Sequence, residues 1–159
     1  MTSSIKNLDC CFIVAENSIK SYQKLSKEYS AIEPPTWALL LAESMRSVKF
    51  NVSIMDANAE KLSKEKVLER LKELKPRLIC FVVYGQNVNA GTTNMSGAVY
   101  LSNFLKEQKI NIPLTIIGSH VQALPKETLQ KENSIDFVFT NEGVYALRNA
   151  LKVKKFDKE

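Results

Sequence analysis

Cysteine, histidine and glycine are scarce in this chain, and each scarcity closes off a class of chemistry. The three cysteines among 159 residues are Cys10, Cys11 and Cys80. They form no Cys-x-x-Cys pair and no three-cysteine cluster motif, which excludes an iron–sulfur cluster or a structural zinc held by this chain alone. Each sits in an apolar, strand-like run, the setting of a buried thiol in a reducing compartment. The single histidine, His120, rules out a multi-histidine metal site, so no metal ligands are expected. The five glycines make neither a Gly-x-Gly-x-x-Gly after the first strand nor a Walker-type phosphate loop.

Long apolar runs are missing too. None approaches the ~18 residues of a membrane helix, and the apolar stretch after residues 1–6 breaks at Glu16, too early for a signal peptide. A cytoplasmic protein with no membrane contact is the expectation. The net charge of +5 comes from lysines spread over helix-like segments and both termini. Aromatic residues do not interleave with them, which argues for a solvated surface and against a nucleic-acid partner.

What is present is an ordinary globular composition, 45% apolar and 25% charged, at the length of one domain. Five apolar, β-branched runs cover 8–14, 52–55, 78–84, 114–117 and 137–139. The first, third and fourth are continuously apolar, as strands covered on both faces must be. Between them, apolar residues recur at helical spacing. The stripes are Trp37, Leu40, Leu41, Met45 and Val48; then Val67, Leu68, Leu71 and Leu74; then Ala98, Leu101, Phe104 and Leu105; and, last, Val144, Leu147 and Leu151. A weaker helix runs from Pro125 to about Lys131, with proline well placed at its first position. Five strand–helix alternations predict an α/β fold: a doubly wound, five-stranded parallel sheet, flavodoxin- or Rossmann-like, in three α/β/α layers. The domain is expected to span 1–152, with 153–159 a tail or linker stub.

Two connections, 15–33 and 85–96, are longer than usual, and both leave carboxyl ends of strands, where open α/β sheets bind ligands. The second is uncharged and rich in amides, hydroxyls and glycine. Such a loop suits a large ligand that itself presents amides, carbonyls or a flat macrocycle. A receiver domain is excluded because the first and third strands end without the acidic residues it needs, and a flavodoxin phosphate loop is poorly matched by 15–19. His120, just beyond the fourth strand, is open to three readings: a ligand contact, a general base, or a satisfied loop residue. Asp56 could contact a ligand or cap a turn, and Glu142 suits a helix N-terminus. No Ser–His–acid or Cys–His arrangement follows from spacing, so no catalytic residue is assigned.

Four segments in register resemble the cobalamin-binding domain at the N-terminus of cobalamin-dependent radical SAM enzymes. Pro34-Pro35 opens an apolar helix; Ile54-Met55-Asp56-Ala57 ends the second strand. Gly118-Ser119-His120 followed by Leu124-Pro125-Lys126-Glu127 matches the family's Gly-Gly-Pro-His-like turn and helix start. Asp136-Phe137-Val138 closing in Asn141-Glu142-Gly143 matches its last strand and turn. The resemblance implies cobalamin as cofactor, with contacts from Gly85, Gln86, Asn87 and Asn89, from Gly118, Ser119 and His120, and from Thr140, Glu142 and Gly143. It implies histidine-off binding, because no histidine follows the first strand, and a radical SAM or methyl-transfer domain to which the corrinoid is presented, the radical SAM partner in cis or in trans. The chain departs from the family's pattern at Thr36-Trp37, where Leu-Gly is usual, and at Ser119, where a second glycine is usual. The cluster-binding cysteines of the radical SAM domain are absent, so the resemblance implies a cofactor module with no catalysis of its own. The alternative is an interaction or regulatory domain that keeps the fold without the cofactor; a small-molecule enzyme using His120 as base is a third reading.

Overall fold

The computed structural model describes residues 8–15, 34–84, 88–153 and 156, with side chains except at 88–93. Within them the chain runs β1 (Cys10–Val14), α1 (Thr36–Ser47), β2 (Val52–Asp56), α2 (Lys64–Leu74), β3 (Leu78–Val83), α3 (Val88–Glu107), β4 (Leu114–Gly118), α4 (Ser119–Ala123), α5 (Pro125–Lys131), β5 (Phe137–Phe139) and α6 (Val144–Lys152). The strands form one sheet in the order β2-β1-β3-β4-β5, and every pairing is parallel. This is the expected doubly wound arrangement. The direction of winding reverses between β1 and β3, which is where such sheets open a crevice at their carboxyl edge.

Strand alternation explains how both faces are covered. Cys11, Ile13, Ile79, Phe81, Val83, Leu114 and Ile116 point into one core with Val67, Leu71, Ala98, Leu101, Leu105 and Val121 of α2, α3 and α4. Cys10, Phe12, Leu78, Cys80, Val82 and Ile117 point into the other with Ala38, Leu41, Ala42 and Met45 of α1 and Leu147 and Leu151 of α6. Burying each Phe, Leu or Ile is worth about 1.5–3 kcal/mol. Among the described residues no helix is long and apolar enough to cross a membrane.

Three local expectations change. The buried stripe of α1 is Ala38, Leu41, Ala42 and Met45, while Trp37, Leu40 and Val48 are exposed. With six apolar residues in a row between Thr36 and Glu43, the segment offers competing stripes, and the one with the two small alanines is the one that packs against β1 and β2. The predicted loop 85–96 is mostly helix, since α3 begins at Val88 and extends the Met95, Ala98, Leu101 stripe toward the N-terminus. Finally, the turn after β4 is itself the short helix α4, with Val121 buried beneath it.

The amino edge of the sheet is tied by charge. Arg77, just before β3, donates to Asp9 Oδ1 at 3.0 Å and to the carbonyls of Leu151 and Val153. Asp9 also accepts from Asn51 N at 2.8 Å. The guanidinium lies over the Phe156 ring, and Phe156 stacks on Phe137 at 5.9 Å. One arginine thus joins β1, β3 and the end of α6. At the opposite edge, the register Val83↔Gly118 brings β3 and β4 so close that a Cβ on Gly118 would lie 2.1 Å from the Val83 carbonyl oxygen.

Three outcomes follow from this packing. Replacing Gly118 with alanine forces that carbonyl aside and is expected to cost about 1–3 kcal/mol in urea unfolding. Arg77→Ala removes charge-assisted bonds whose partners are only 29% and 20% exposed, and a loss of about 1–3 kcal/mol is expected by the same measurement. Burial raises all three thiols, Cys11 to about 12. The folded chain therefore holds these protons more tightly than the unfolded one. Stability from this source is complete below the ordinary thiol pKa of ~8.5 and drains away as pH rises from there. A thermal midpoint that stays level from pH 9 to 12 would show that the thiols are not buried as described.

Candidate functional site at the carboxyl edge

β3, β4 and β5 lie side by side, so the segments leaving their carboxyl ends are neighbours. Tyr84 follows β3. Gly118, Ser119 and His120 carry β4 into α4, and Thr140-Asn141-Glu142-Gly143 carries β5 into α6. The structure therefore gathers six of the ten expected contact residues at one edge: Gly118, Ser119, His120, Thr140, Glu142 and Gly143. Gly85, Gln86 and Asn87 lie outside the described residues. Asn89 falls in the first turn of α3, and its side chain is likewise outside the description.

Ser119 and His120 are half-buried, whereas Thr140 and Glu142 are exposed. The turn after β5 depends on left-handed backbone at two positions, Asn141 with φ 58° and Gly143 with φ 66°. At Gly143 a side chain would also meet Ile117 Cδ1 at 2.2 Å. Gly118 is thus required by the Val83 backbone and Gly143 by its left-handed φ, before any ligand is considered. Asp56, at the end of β2, accepts from Ala59 N at 2.9 Å and so caps a turn.

Sequence reasoning missed the side chains that knit the edge together. Tyr84 Oη donates to the Asn141 carbonyl at 3.4 Å, and Asn94 Nδ2 donates to the Tyr84 carbonyl at 3.3 Å. Trp37, at the start of α1, stacks on the Tyr84 ring with centroids 4.5 Å apart and planes 25° apart. Burial first, and then the Glu142 carboxylate, raise the Tyr84 hydroxyl above its usual pKa, so it is a neutral phenol at pH 7. A cue was present in sequence: Tyr84 is the one residue with a hydroxyl in the run 78–84.

The donor set tests what could bind. Segments 84–94, 118–123 and 140–143 contain no lysine or arginine. They offer amides, hydroxyls, one imidazole and one carboxylate, a set that matches a ligand carrying many neutral amides, such as the corrin periphery, better than one carrying several phosphates. Among the described residues no three His, Cys, Asp or Glu side chains are grouped to hold a metal ion.

Comparison with known proteins is consistent with this geometry. The family model described as the B12 binding domain matches residues 24–151. The anaerobic magnesium-protoporphyrin IX monomethyl ester cyclase of Cereibacter sphaeroides is 21% identical over 146 residues, which cover 86% of this chain and 21% of that protein. The chain therefore spans about a fifth of the curated relative's length. No solved structure matches. The family match takes in β2 to β5, α1 to α5, α6 as far as Leu151 and every residue gathered at the carboxyl edge, and on that ground the chain belongs to the B12-binding domain family.

Proposed function

We propose that this domain binds a corrinoid at the carboxyl ends of β3, β4 and β5 and presents it to a radical SAM domain, in cis or in trans. The observation that carries the reading is the family match over 24–151 on a sheet whose carboxyl edge offers amides, hydroxyls and a single carboxylate with no lysine or arginine in 84–94, 118–123 and 140–143. In this reading Gly118, Ser119 and His120 meet the ligand on one side and Thr140, Glu142 and Gly143 on the other. Gly85, Gln86, Asn87 and Asn89 complete the contacts from the segment after β3.

A bound corrinoid supplies the reactive cobalt; the chain supplies position and a surface matched to amides. Binding is histidine-off, because the one imidazole lies after β4 and none follows β1. The radical SAM partner rests on the motif resemblance, and the relative, nearly five times longer than its matched portion, leaves room for such an arrangement. Ser119, where the family has a glycine, lends support to a second reading in which the fold persists as a cofactor-free interaction or regulatory domain.

Incubation with hydroxocobalamin followed by desalting separates the two. Corrin absorption retained near one equivalent is the expected result, and colourless protein after exposure to a high cobalamin concentration would favour the second reading. Reduced to Co(II), the bound corrinoid is expected to show no nitrogen superhyperfine splitting, with His120→Ala leaving the signal unchanged. A triplet splitting that disappears in His120→Ala would make His120 a cobalt ligand and overturn histidine-off binding.

A further inference from the structure

Trp37 is the chain's only tryptophan. It is the second residue of α1, yet it lies outside the buried stripe Ala38, Leu41, Ala42 and Met45 and is 41% exposed. One face of its indole is covered by Tyr84. With Tyr84 on one face, the exposed surface of the indole lies on its other face and its edges. The ring is also braced. Tyr84 is held by its hydroxyl on Asn141, by the Asn94 amide on its carbonyl and by the sheet beneath. An aromatic face fixed in advance loses little freedom when a second ring stacks on it. The start of α1 and the end of β3 also flank the point where the winding reverses, the usual ligand crevice of this architecture. Segments 84–94, 118–123 and 140–143 carry no basic side chain, so stacking on Trp37 is an attraction this edge can offer a flat ring.

We propose that Trp37 is a stacking platform that selects corrinoids by the planar aromatic base ending their nucleotide tail, with Tyr84 as the residue that positions it. This inference rests on the corrinoid reading above. Base–aromatic stacking elsewhere changes affinity by roughly 5- to 150-fold on truncation of the aromatic.

The test compares cyanocobalamin with dicyanocobinamide, which lacks the tail. The intact chain is expected to prefer cobalamin, and Trp37→Leu to lower that preference about tenfold while cobinamide affinity stays level. Trp37→Phe keeps most of the preference. As a readout independent of the corrin, α-ribazole (the tail base with its ribose) is expected to change the emission of the lone tryptophan saturably. This titration and the Trp37→Phe comparison decide the matter if Trp37→Leu fails to fold by circular dichroism. Equal loss of both corrinoids in Trp37→Leu, or no loss of either, overturns the platform while leaving corrinoid binding intact. If the intact chain holds neither corrinoid, the functional reading falls and the platform with it.

Discussion

β3 is buried on both faces along its whole length, and that burial constrains everything around it. Leu78, Ile79, Cys80, Phe81, Val82 and Val83 are all buried. An ionised group among them would forfeit its hydration with no partner in reach, at a cost of several kcal/mol. Polar chemistry is therefore pushed to the two ends of the strands. The first hydroxyl that β3 tolerates is that of Tyr84, one residue past its last sheet position.

The two ends are used differently. At the amino edge the solution is charge: Arg77 bridges Asp9 and the end of α6, and Lys106 meets Asp136 Oδ2 at 2.7 Å while Leu114 N donates to the same oxygen. These pairs clamp the starts of β1, β3, β4 and β5. At the carboxyl edge between β3 and β5 the contacts are close and neutral. Gly118 lets β4 lie against the Val83 carbonyl, and Gly143 lets the last turn fold over Ile117. A charge-tied floor and a glycine-relieved rim, free of basic side chains in 84–94, 118–123 and 140–143, leave the carboxyl edge to amides, hydroxyls and the single carboxylate of Glu142.

Much of the architecture was legible because buried parallel strands need continuous apolar residues, and the helices between them need a 3.6-residue stripe. Those two periods place all five strands to within two residues at each end. The strand order could not be read from the sequence, which only fitted a flavodoxin-like arrangement; the structure decided it, because strand neighbours are set by pairing between segments distant in the chain. The periods failed where the signal was redundant or silent. In α1 the dense apolar residues permit more than one face, and packing against β1 and β2 selected the one with Ala38, Leu41, Ala42 and Met45. At the start of α3 the polar residues 89–94 carry no stripe, so a helix propagated from its apolar half looked like a loop.

The candidate site divides along the same line. His120 and Glu142 could be singled out from local sequence, by a place just after a strand and at a helix N-terminus, whereas Gly118 and Gly143 came only with the family resemblance. The roles of Trp37, Tyr84, Asn94 and Asn141 could not, since each contact joins positions 10 to 57 residues apart, and nothing local in the chain records such a pairing. The sequence by itself determined the fold class, the alternation of its elements and the lack of basic side chains at the rim, because each of these depends on burial and spacing along the chain. Only the tertiary structure decided which face of α1 is buried, what the two glycines relieve and which rings meet at the crevice, because those depend on distances between elements that hydrophobic burial brings together from afar.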